Sequence, residues 1–266
     1  MGPSGLFRPS LQPYKYDTVI HTRPNRRHAC LQCGRVAPGR THLATPVTAR
    51  LTRRMRITKY EHAGLRIDAE GRSLLIDPGG FTTLPDDLAT VVAIVITHEH
   101  PDHLDPENIA RVRAAAPGIP VFGPSGVAQA APDAGITTVA PGETVDVAGF
   151  TLRFFGGEHA VIHRSIPLIQ NLGVLIDDEL YYPGDSYAVP DGIEMQTLAA
   201  PLGAPWLKIG EAMDFVLAAR PRRAFGTHDM TLSDVGRAMH RDRLRWATAQ
   251  HGGEFFDLDP GDVLEV

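Results

Sequence analysis

Nine residues, 97–105, carry an unusual density of metal-binding side chains. They read THEHPDHLD and contain three of the chain's twelve histidines together with two aspartates. Neutral imidazole is a good ligand for borderline metal ions, and carboxylate is its usual oxygen partner. By chance, H-x-H-x-D-H should occur on the order of once in a thousand chains of this composition. We therefore interpret the stretch as a metal site rather than as a solvated polar loop.

The composition is that of a soluble, folded chain. Hydrophobic residues make up 43% and charged residues 21% of the 266 positions, which argues against general disorder. This length allows a sizeable core in one large or two small domains. No apolar run approaches 18 residues, so no membrane-spanning helix is predicted. The only cysteines, Cys30 and Cys33, cannot form a secreted disulfide framework, so a cytoplasmic location is expected.

The charge distribution divides the chain near residue 55. Residues 1–54 hold ten Lys or Arg and one acid, whereas residues 55–266 hold sixteen Lys or Arg and thirty acids. The basic segment is rich in Pro and Thr and has no sustained period of 2 or 3.6 residues. We predict a disordered, dispensable N-terminal extension over 1–54 and a catalytic domain over 55–266. Met55 is an alternative start of translation.

Three other interpretations of the basic segment remain open. Cys30 and Cys33 with two of His21, His28 and His42 would make a zinc knuckle, although their spacing fits no standard finger. An Arg-rich, acid-poor transit peptide lacks its amphipathic helix here. Nucleic-acid contact fits the charge, but few aromatic residues are interleaved with it.

From residue 55 onward, strand and helix patterns alternate. Two strands and a turn are predicted within 55–80, and apolar runs predict strands at 73–76, 91–96, 119–122, 144–155, 173–176 and 223–226. Helices are predicted within 105–118, 208–220 and 232–253. The first would have Asp105 as its N-cap and Pro106 at its first position, and the last would stop at Gly252. This mixture predicts sheets layered with helices.

Further candidate ligands follow predicted strands. The apolar run 91–96 leads directly into Thr97 and His98, and α/β sheets bind ligands at such carboxyl ends. His98 and His100 can converge on one ion, while Asp102 and His103 can face a second. His159, Asp185 and His228 also lie just beyond strand-like runs, each beside a glycine that permits close backbone approach.

These motifs, in this order, resemble those of the metallo-β-lactamase superfamily over residues 55–266. LLIDPGG (74–80) looks like the first motif, with Asp77, and THEHPDH (97–103) like the second; His159, Asp185 and His228 match the remaining three. Because it lacks large insertions, the chain is most similar to the compact branch of this superfamily that includes ascorbate-6-phosphate lactonase-like hydrolases. The resemblance implies an α+β fold, a four-layer αββα sandwich.

The resemblance also implies the ligand set. One ion would be held by His98, His100 and His159, and the other by Asp102, His103 and His228, with Asp185 bridging them. Asp77 would orient a ligand, since metal-binding imidazoles need a partner on their other nitrogen. His62 is similar to a histidine common near the first strand of this branch and would be orienting or structural. An all-nitrogen-and-oxygen site suits two zinc ions, with manganese as the alternative.

This site predicts a hydrolase of small molecules. A hydroxide shared by the two ions would attack an ester, lactone, thioester or amide, while a metal stabilises the developing oxyanion. Asp102 is the candidate proton acceptor, and His163 is the candidate acid for the leaving group. Arg164, Asn171 and Trp206 lie in loops that could border the pocket.

Three other functions are weighed against this one. A phosphodiesterase or nuclease could use the same site, but the acidic balance of residues 55–266 would repel nucleic acid. A di-iron oxidoreductase of this superfamily normally replaces the second histidine with glutamate and carries a flavin domain, whereas His100 stands here. A non-enzymatic scaffold is hard to reconcile with seven intact ligands. A small-molecule substrate is therefore expected, and the oligomeric state stays open.

Overall fold

The computed structural model describes residues 54–266. The predicted N-terminal extension, residues 1–54, lies outside the described residues except for Arg54. The alternative zinc knuckle at Cys30 and Cys33 also lies outside them. Both therefore stay predictions.

The first of two sheets has seven strands. In spatial order they are β14 (Val263–Glu265), β1 (Arg56–Lys59), β2 (Leu65–Ala69), β3 (Arg72–Ile76), β4 (Val91–Val95), β5 (Val121–Gly123) and β6 (Ile136–Thr138). From β14 to β3 the neighbours pair antiparallel, and from β3 to β6 they pair parallel. The region 55–80 thus holds three strands where two were expected.

The second sheet also has seven strands. In spatial order they are β13 (Glu254–Phe256), β12 (Arg223–Thr227), β11 (Thr197–Pro201), β10 (Leu180–Tyr182), β9 (Leu172–Ile176), β8 (Phe150–Gly156) and β7 (Thr144–Val147). Pairing is parallel from β13 to β10 and antiparallel from β10 to β7. The predicted strand 144–155 is instead a hairpin, because Ala148 and Gly149 both adopt the positive φ of a tight primed turn.

Four helices cover the outer faces of the two sheets. They are α1 (Pro106–Ala115), α2 (Ser125–Ala130), α3 (Ile209–Ala219) and α4 (Asp234–Ala249). The side chain of Asp105 caps α1 by accepting a hydrogen bond from the Glu107 amide, with Pro106 in the first turn, as predicted. Gly252, at φ +79°, follows the end of α4. None of the described helices has the length and apolar composition needed to cross a bilayer.

Three layers of apolar side chains hold these elements together. Leu74 and Ile76 of β3 face the central layer between the sheets, whereas Leu75 faces the layer under α1 and α2. A third layer joins the second sheet to α3 and α4, for example through Phe215 and Leu244. Because successive strand residues point to opposite faces, strands covered on both sides are apolar nearly throughout. The fold is therefore the predicted α+β, four-layer αββα sandwich.

One buried ion pair, which was not predicted, joins the end of β1 to the loop after β12. Lys59 at the end of β1 is fully buried, and its Nζ donates to Asp229 Oδ1 at 3.2 Å and to the Tyr60 carbonyl at 3.1 Å. Burial lowers the pKa of Lys59, and the Asp229 carboxylate opposes that shift. Arg241 Nη2 lies 3.7 Å from the other Asp229 oxygen. The pair fixes the segment that follows β12 against β1.

Replacing Lys59 by Met should therefore destabilise the protein by about 3 kcal/mol, because a buried carboxylate loses its main partner. The free energy of unfolding from urea titration measures this. Arg56→Met is the matched control: Arg56 pairs with Glu265 at an exposed site, so the change should stay within about 1 kcal/mol. The double variant Lys59→Met, Asp229→Leu should recover part of the loss. Equal stability of wild type and Lys59→Met would contradict the assignment.

Candidate metal centre

The candidate ligands lie on loops that follow the carboxyl ends of strands. Asp77 follows β3, and residues 98–103 follow β4 in the first sheet. His159, Asp185 and His228 follow β8, β10 and β12, which run in the same direction in the second sheet. All seven predicted ligands come together in two buried or half-buried groups. These groups are His98, His100, His159 and Asp185, and His62, Asp102, His103 and His228.

Distances between the ligand atoms are those expected around a metal ion. His103 Nε2 lies 3.3 Å from Asp185 Oδ1, and His159 Nε2 lies 3.4 Å from Asp185 Oδ2. His228 Nε2 lies 3.3 Å from Asp102 Oδ2. A tetrahedral ion with bonds of about 2.0–2.1 Å separates its ligand atoms by about 3.3–3.4 Å. Asp185 reaches both groups: its Oδ2 lies 3.4 Å from His159 Nε2 and 3.1 Å from His228 Nε2, so one carboxylate contacts ligand candidates of each group.

Several of these atoms are buried without a hydrogen-bond partner. They are the Nε2 atoms of His103, His159 and His228, and Oδ1 of Asp185. An unsatisfied buried polar atom costs about 1–3 kcal/mol, so four in one place call for an occupant. Nitrogen lone pairs beside carboxylate oxygens attract a cation. The residues present therefore fit bound metal ions.

The opposite nitrogens of the imidazoles are held by hydrogen bonds. His159 Nδ1 donates to the Ala160 carbonyl and His228 Nδ1 to the Gly203 carbonyl, both at 2.6 Å. A carbonyl can only accept, so in each neutral ring Nδ1 carries the proton and Nε2 keeps its lone pair. This arrangement orients the rings for metal binding.

Asp77 organises the loop after β4 from within the core. Its carboxylate accepts hydrogen bonds from the Thr97 amide, the Thr97 hydroxyl and His103 Nδ1, each at 2.7 Å. Since the Thr97 hydroxyl gives its proton to Asp77, it accepts from His98 Nδ1 at 3.0 Å. His98 Nε2 therefore keeps its lone pair, and it lies 3.1 Å from His100 Nδ1. Sequence reasoning found Asp77 but missed Thr97, although Thr97 directly precedes the histidine motif.

His62 contacts the second group through Asp102. Its Nδ1 accepts a hydrogen bond from the Met230 amide at 3.3 Å, so its proton sits on Nε2, which lies 2.9 Å from Asp102 Oδ2. A neutral His62 in this tautomer has no free lone pair for a metal. It is therefore better suited to hold the Asp102 carboxylate in place than to act as a ligand.

Two residues that the sequence suggested only as pocket borders contact Asp185. Trp206 Nε1 donates to Asp185 Oδ2 at 3.0 Å. The Asn171 side chain accepts from the Asp185 amide at 2.9 Å and donates to the Pro183 carbonyl at 2.8 Å, which fixes the turn before Asp185. Gly184 in this turn has φ +61°, and a Cβ there would lie 2.4 Å from Asn171 Oδ1.

His163 lies close to the ligands without belonging to either group. It lines, with Arg164, a cavity of about 350 Å³ that His100 and His159 also border. His163 Nδ1 lies 2.8 Å from the Ser165 hydroxyl and accepts a hydrogen bond from the Ser165 amide at 3.2 Å, so in this arrangement the proton of the neutral ring is on Nε2.

The backbone at the site departs from ordinary conformations. His62, Asp77 and His228 all have positive φ, at 58°, 45° and 55°. Left-handed backbone at non-glycine residues costs about 1–3 kcal/mol each and is concentrated at functional sites. Gly79 packs so closely on the loop after β4 that a Cβ would lie 2.1 Å from the Asp102 backbone.

The carboxylates and histidines shift each other's proton affinities. Burial alone would lower the pKa of His228, but Asp185 and Asp102 raise it to about 9. Burial alone would also lower the pKa of His103. The Asp185 and Asp77 carboxylates outweigh burial and raise that pKa well above its usual value. Burial lowers the pKa of His98, and the neighbouring His103 lowers it further.

Comparison with known proteins agrees with this architecture. A family model described as the β-lactamase superfamily domain matches residues 56–228. The chain therefore belongs to the β-lactamase superfamily. Its finer placement beside ascorbate-6-phosphate lactonase-like proteins stays a prediction.

Relatives and solved structures span most of the chain. Protein Rv0786c of Mycobacterium tuberculosis is 35% identical over 196 residues, 71% of this chain and 91% of that protein. The UPF0173 protein PYRAB01190 of Pyrococcus abyssi is 32% identical over 229 residues, 80% of this chain and all of that protein. Igni18, a metallo hydrolase from Ignicoccus hospitalis, is similar in fold with a TM-score of 0.62 at 16% identity, covering 80% of this chain and 98% of Igni18.

Replacing His159 by Ala should reduce the metal bound per chain, because one of the two groups loses an inward-facing Nε2. Metal content after gel filtration, measured by inductively coupled plasma mass spectrometry, tests this. His163→Ala is the matched control, four residues along the same loop, and should retain the wild-type metal content. The reverse pattern would make His163 the ligand of this loop.

Metal affinity should rise with pH between about 6 and 9. In the metal-free protein, His228 with a pKa of about 9 is protonated at neutral pH, and so is His103. Protons therefore compete with the metal below these pKa values, and binding releases them. Competition titrations with a chelator at pH 6, 7 and 8, with calorimetry in two buffers of different ionisation enthalpy, measure both effects. An affinity independent of pH would exclude these two ligands.

Proposed function

We propose that this protein is a metal-dependent hydrolase that cleaves a small-molecule ester, lactone, thioester or amide at a dinuclear site. The observation that carries the proposal is the pair of ligand groups joined by Asp185, with lone pairs buried and unpartnered at His103, His159 and His228. Without metal, these nitrogens would stay buried either as unpartnered lone pairs or as protonated imidazoles, and both states are costly in a buried site.

Three histidines, His98, His100 and His159, would hold one ion. Asp102, His103 and His228 would hold the other, with Asp185 shared. The set offers only nitrogen and oxygen, which suits zinc and leaves manganese as the alternative. Asp77 and His62 would act through the ligands that they contact, His103 and Asp102.

When bound, divalent ions in such a site supply hydroxide near neutral pH and polarise the scissile carbonyl. The protein's own groups would orient the water and handle the protons. Burial raises the pKa of Asp102, but the close approach of His228 Nε2, at 3.3 Å, and the hydrogen bond from His62 outweigh burial and lower that pKa far below its usual value. Asp102 would therefore accept a hydrogen bond from the attacking water and take up its proton only briefly.

His163 would protonate the leaving group. Its cavity is shared with His100 and His159, and its Nε2 carries a proton because Nδ1 accepts from the Ser165 amide. A general acid of this kind contributes about 10²–10⁴-fold when the leaving group is a poor one. The cytoplasmic location and the small-molecule substrate are part of the same proposal.

The deciding experiment measures turnover of full-length protein loaded with Zn²⁺ or Mn²⁺. The substrates are p-nitrophenyl and ethyl esters, lactones and bis(p-nitrophenyl) phosphate. We expect metal-dependent acyl cleavage that Asp102→Ala abolishes. His163→Ala should slow ethyl esters at least tenfold more than p-nitrophenyl esters, whose leaving group needs no proton.

Two outcomes would overturn parts of this proposal. Metal-dependent cleavage of the phosphodiester without acyl cleavage would replace it with the phosphodiesterase alternative. An equal effect of His163→Ala on both kinds of ester would remove His163 from the chemistry and leave the hydrolase assignment intact.

A further inference from the structure

Exposed apolar side chains are concentrated around the metal centre. Among the described residues, ten large apolar side chains are exposed, and five of them lie on loops beside the ligand candidates. Phe81 and Met230 lie on one side, where the Phe81 ring is 5.1 Å from the His62 ring and the Met230 amide donates to His62. The others, Val161, Ile166 and Leu168, belong to the loop between β8 and β9 that carries His159.

This loop encloses the cavity of about 350 Å³ beside His100 and His159. Apart from those two histidines, His163 and Arg164, its lining consists of apolar side chains, among them Val161, Ile166 and Leu168. The size falls in the range of small-molecule sites and is too small for a folded partner. The cavity opens directly onto two candidate ligands, so a molecule inside it would meet the metal centre.

A second cavity that His159 also borders has a different character. It measures about 810 Å³ and is bordered by Glu158, Lys208 and Glu211 as well as by Trp206. The segment 159–162 borders both cavities. His159 therefore borders one cavity with an apolar lining and another that includes charged side chains, and a substrate that occupies both would need an apolar part and a polar part.

We propose that the smaller cavity binds the aliphatic acyl arm of the substrate, so that the substrates are acyl esters, thioesters or lactones with a medium-length chain. This inference rests on the proposed hydrolase function. In the reaction, the oxygen of water bonds to the acyl carbon, the bond from that carbon to the leaving group breaks, and the leaving group takes the proton. The products are the carboxylic acid and the alcohol or thiol.

The physical basis is burial of methylene groups beside the reacting carbonyl. Each methylene group transferred from water into an apolar site contributes a factor of about four in binding. A chain that fills the cavity should therefore be favoured over acetate by a factor that grows with each carbon until the cavity is full. A sugar would gain nothing from these apolar side chains.

The kinetic test compares p-nitrophenyl acetate, butyrate, hexanoate and octanoate on full-length, metal-loaded protein. We expect kcat/KM to rise by about twofold to fourfold per methylene group. Ile166→Ser and Leu168→Ser should reduce the octanoate-to-acetate ratio at least tenfold. Both side chains are about half exposed, at 47% and 50%, so these variants should fold. Val235→Ser, at an apolar residue on α4 that is 72% exposed and borders neither cavity, is the control and should leave the ratio unchanged.

A binding measurement separates this inference from the hydrolase proposal. Titration calorimetry with octan-1-ol, at two temperatures, should show binding with a negative heat-capacity change. Leu168→Ser should weaken that binding and Val235→Ser should not. Binding with no ester hydrolysed would support the cavity and refute the hydrolase.

Metal-dependent hydrolysis without chain-length preference or octan-1-ol binding would overturn the acyl cavity alone. If the wild-type protein bound lipid vesicles but no octan-1-ol, and Leu168→Ser lost the vesicle binding, the acyl cavity would also be overturned. The loop would then be assigned to a membrane surface.

Discussion

One buried carboxylate, that of Asp77, holds the candidate metal centre in shape. It accepts three hydrogen bonds, two from Thr97 and one from His103. Because Asp77 ends β3 and Thr97 begins the loop after β4, these bonds join the ends of two parallel strands. They orient His103 directly and His98 through the Thr97 hydroxyl. Without the carboxylate, three donors would be left buried, each at a cost of about 1–3 kcal/mol.

Two other residues beside the candidate ligands, His62 and His228, have strained backbone conformations that the surrounding fold holds in place. Left-handed backbone at His62 and His228 is stabilised by a hydrogen bond between them, from the His228 amide to the His62 carbonyl at 2.7 Å. The Lys59–Asp229 pair clamps the residue next to His228 onto β1. In a flexible scaffold these residues would relax to ordinary backbone conformations. Here the close packing of the two sheets holds the strained conformations in place. Rigidity matters here because ligand atoms must stay within a few tenths of an ångström.

The surroundings of the site then select what reaches it. His159 borders both an apolar cavity and one with charged side chains, so the loop between β8 and β9 contributes both a candidate ligand and the apolar lining. Superfamily membership describes the fold and the motifs, while substrate choice is made by such loops. This explains why the chemistry can be argued from the motifs and the substrate only from the cavities.

The sequence by itself determined the local features: the density of ligands at 97–105, the cap at Asp105 and Pro106, and the main buried strands. Each depends on neighbours within a few positions, which pattern reasoning reads well. Strands of three residues, such as β5 and β6, are too short to show a period, and they were misplaced and missed respectively. The turn at Ala148 and Gly149 was missed because alanine rarely adopts positive φ.

Only the tertiary structure decided the contacts between distant segments. Lys59 and Asp229 are 170 positions apart, and the partners of Asp77, Asp102 and Asp185 come from other strands and loops. The resemblance named the candidate ligands. It did not predict that Thr97, Asn171 and Trp206 would form hydrogen bonds with them. No periodicity records which side chain a folded loop will bring beside a carboxylate. That information exists only once both sheets have closed over the core, because burial then forces each polar atom to find a partner.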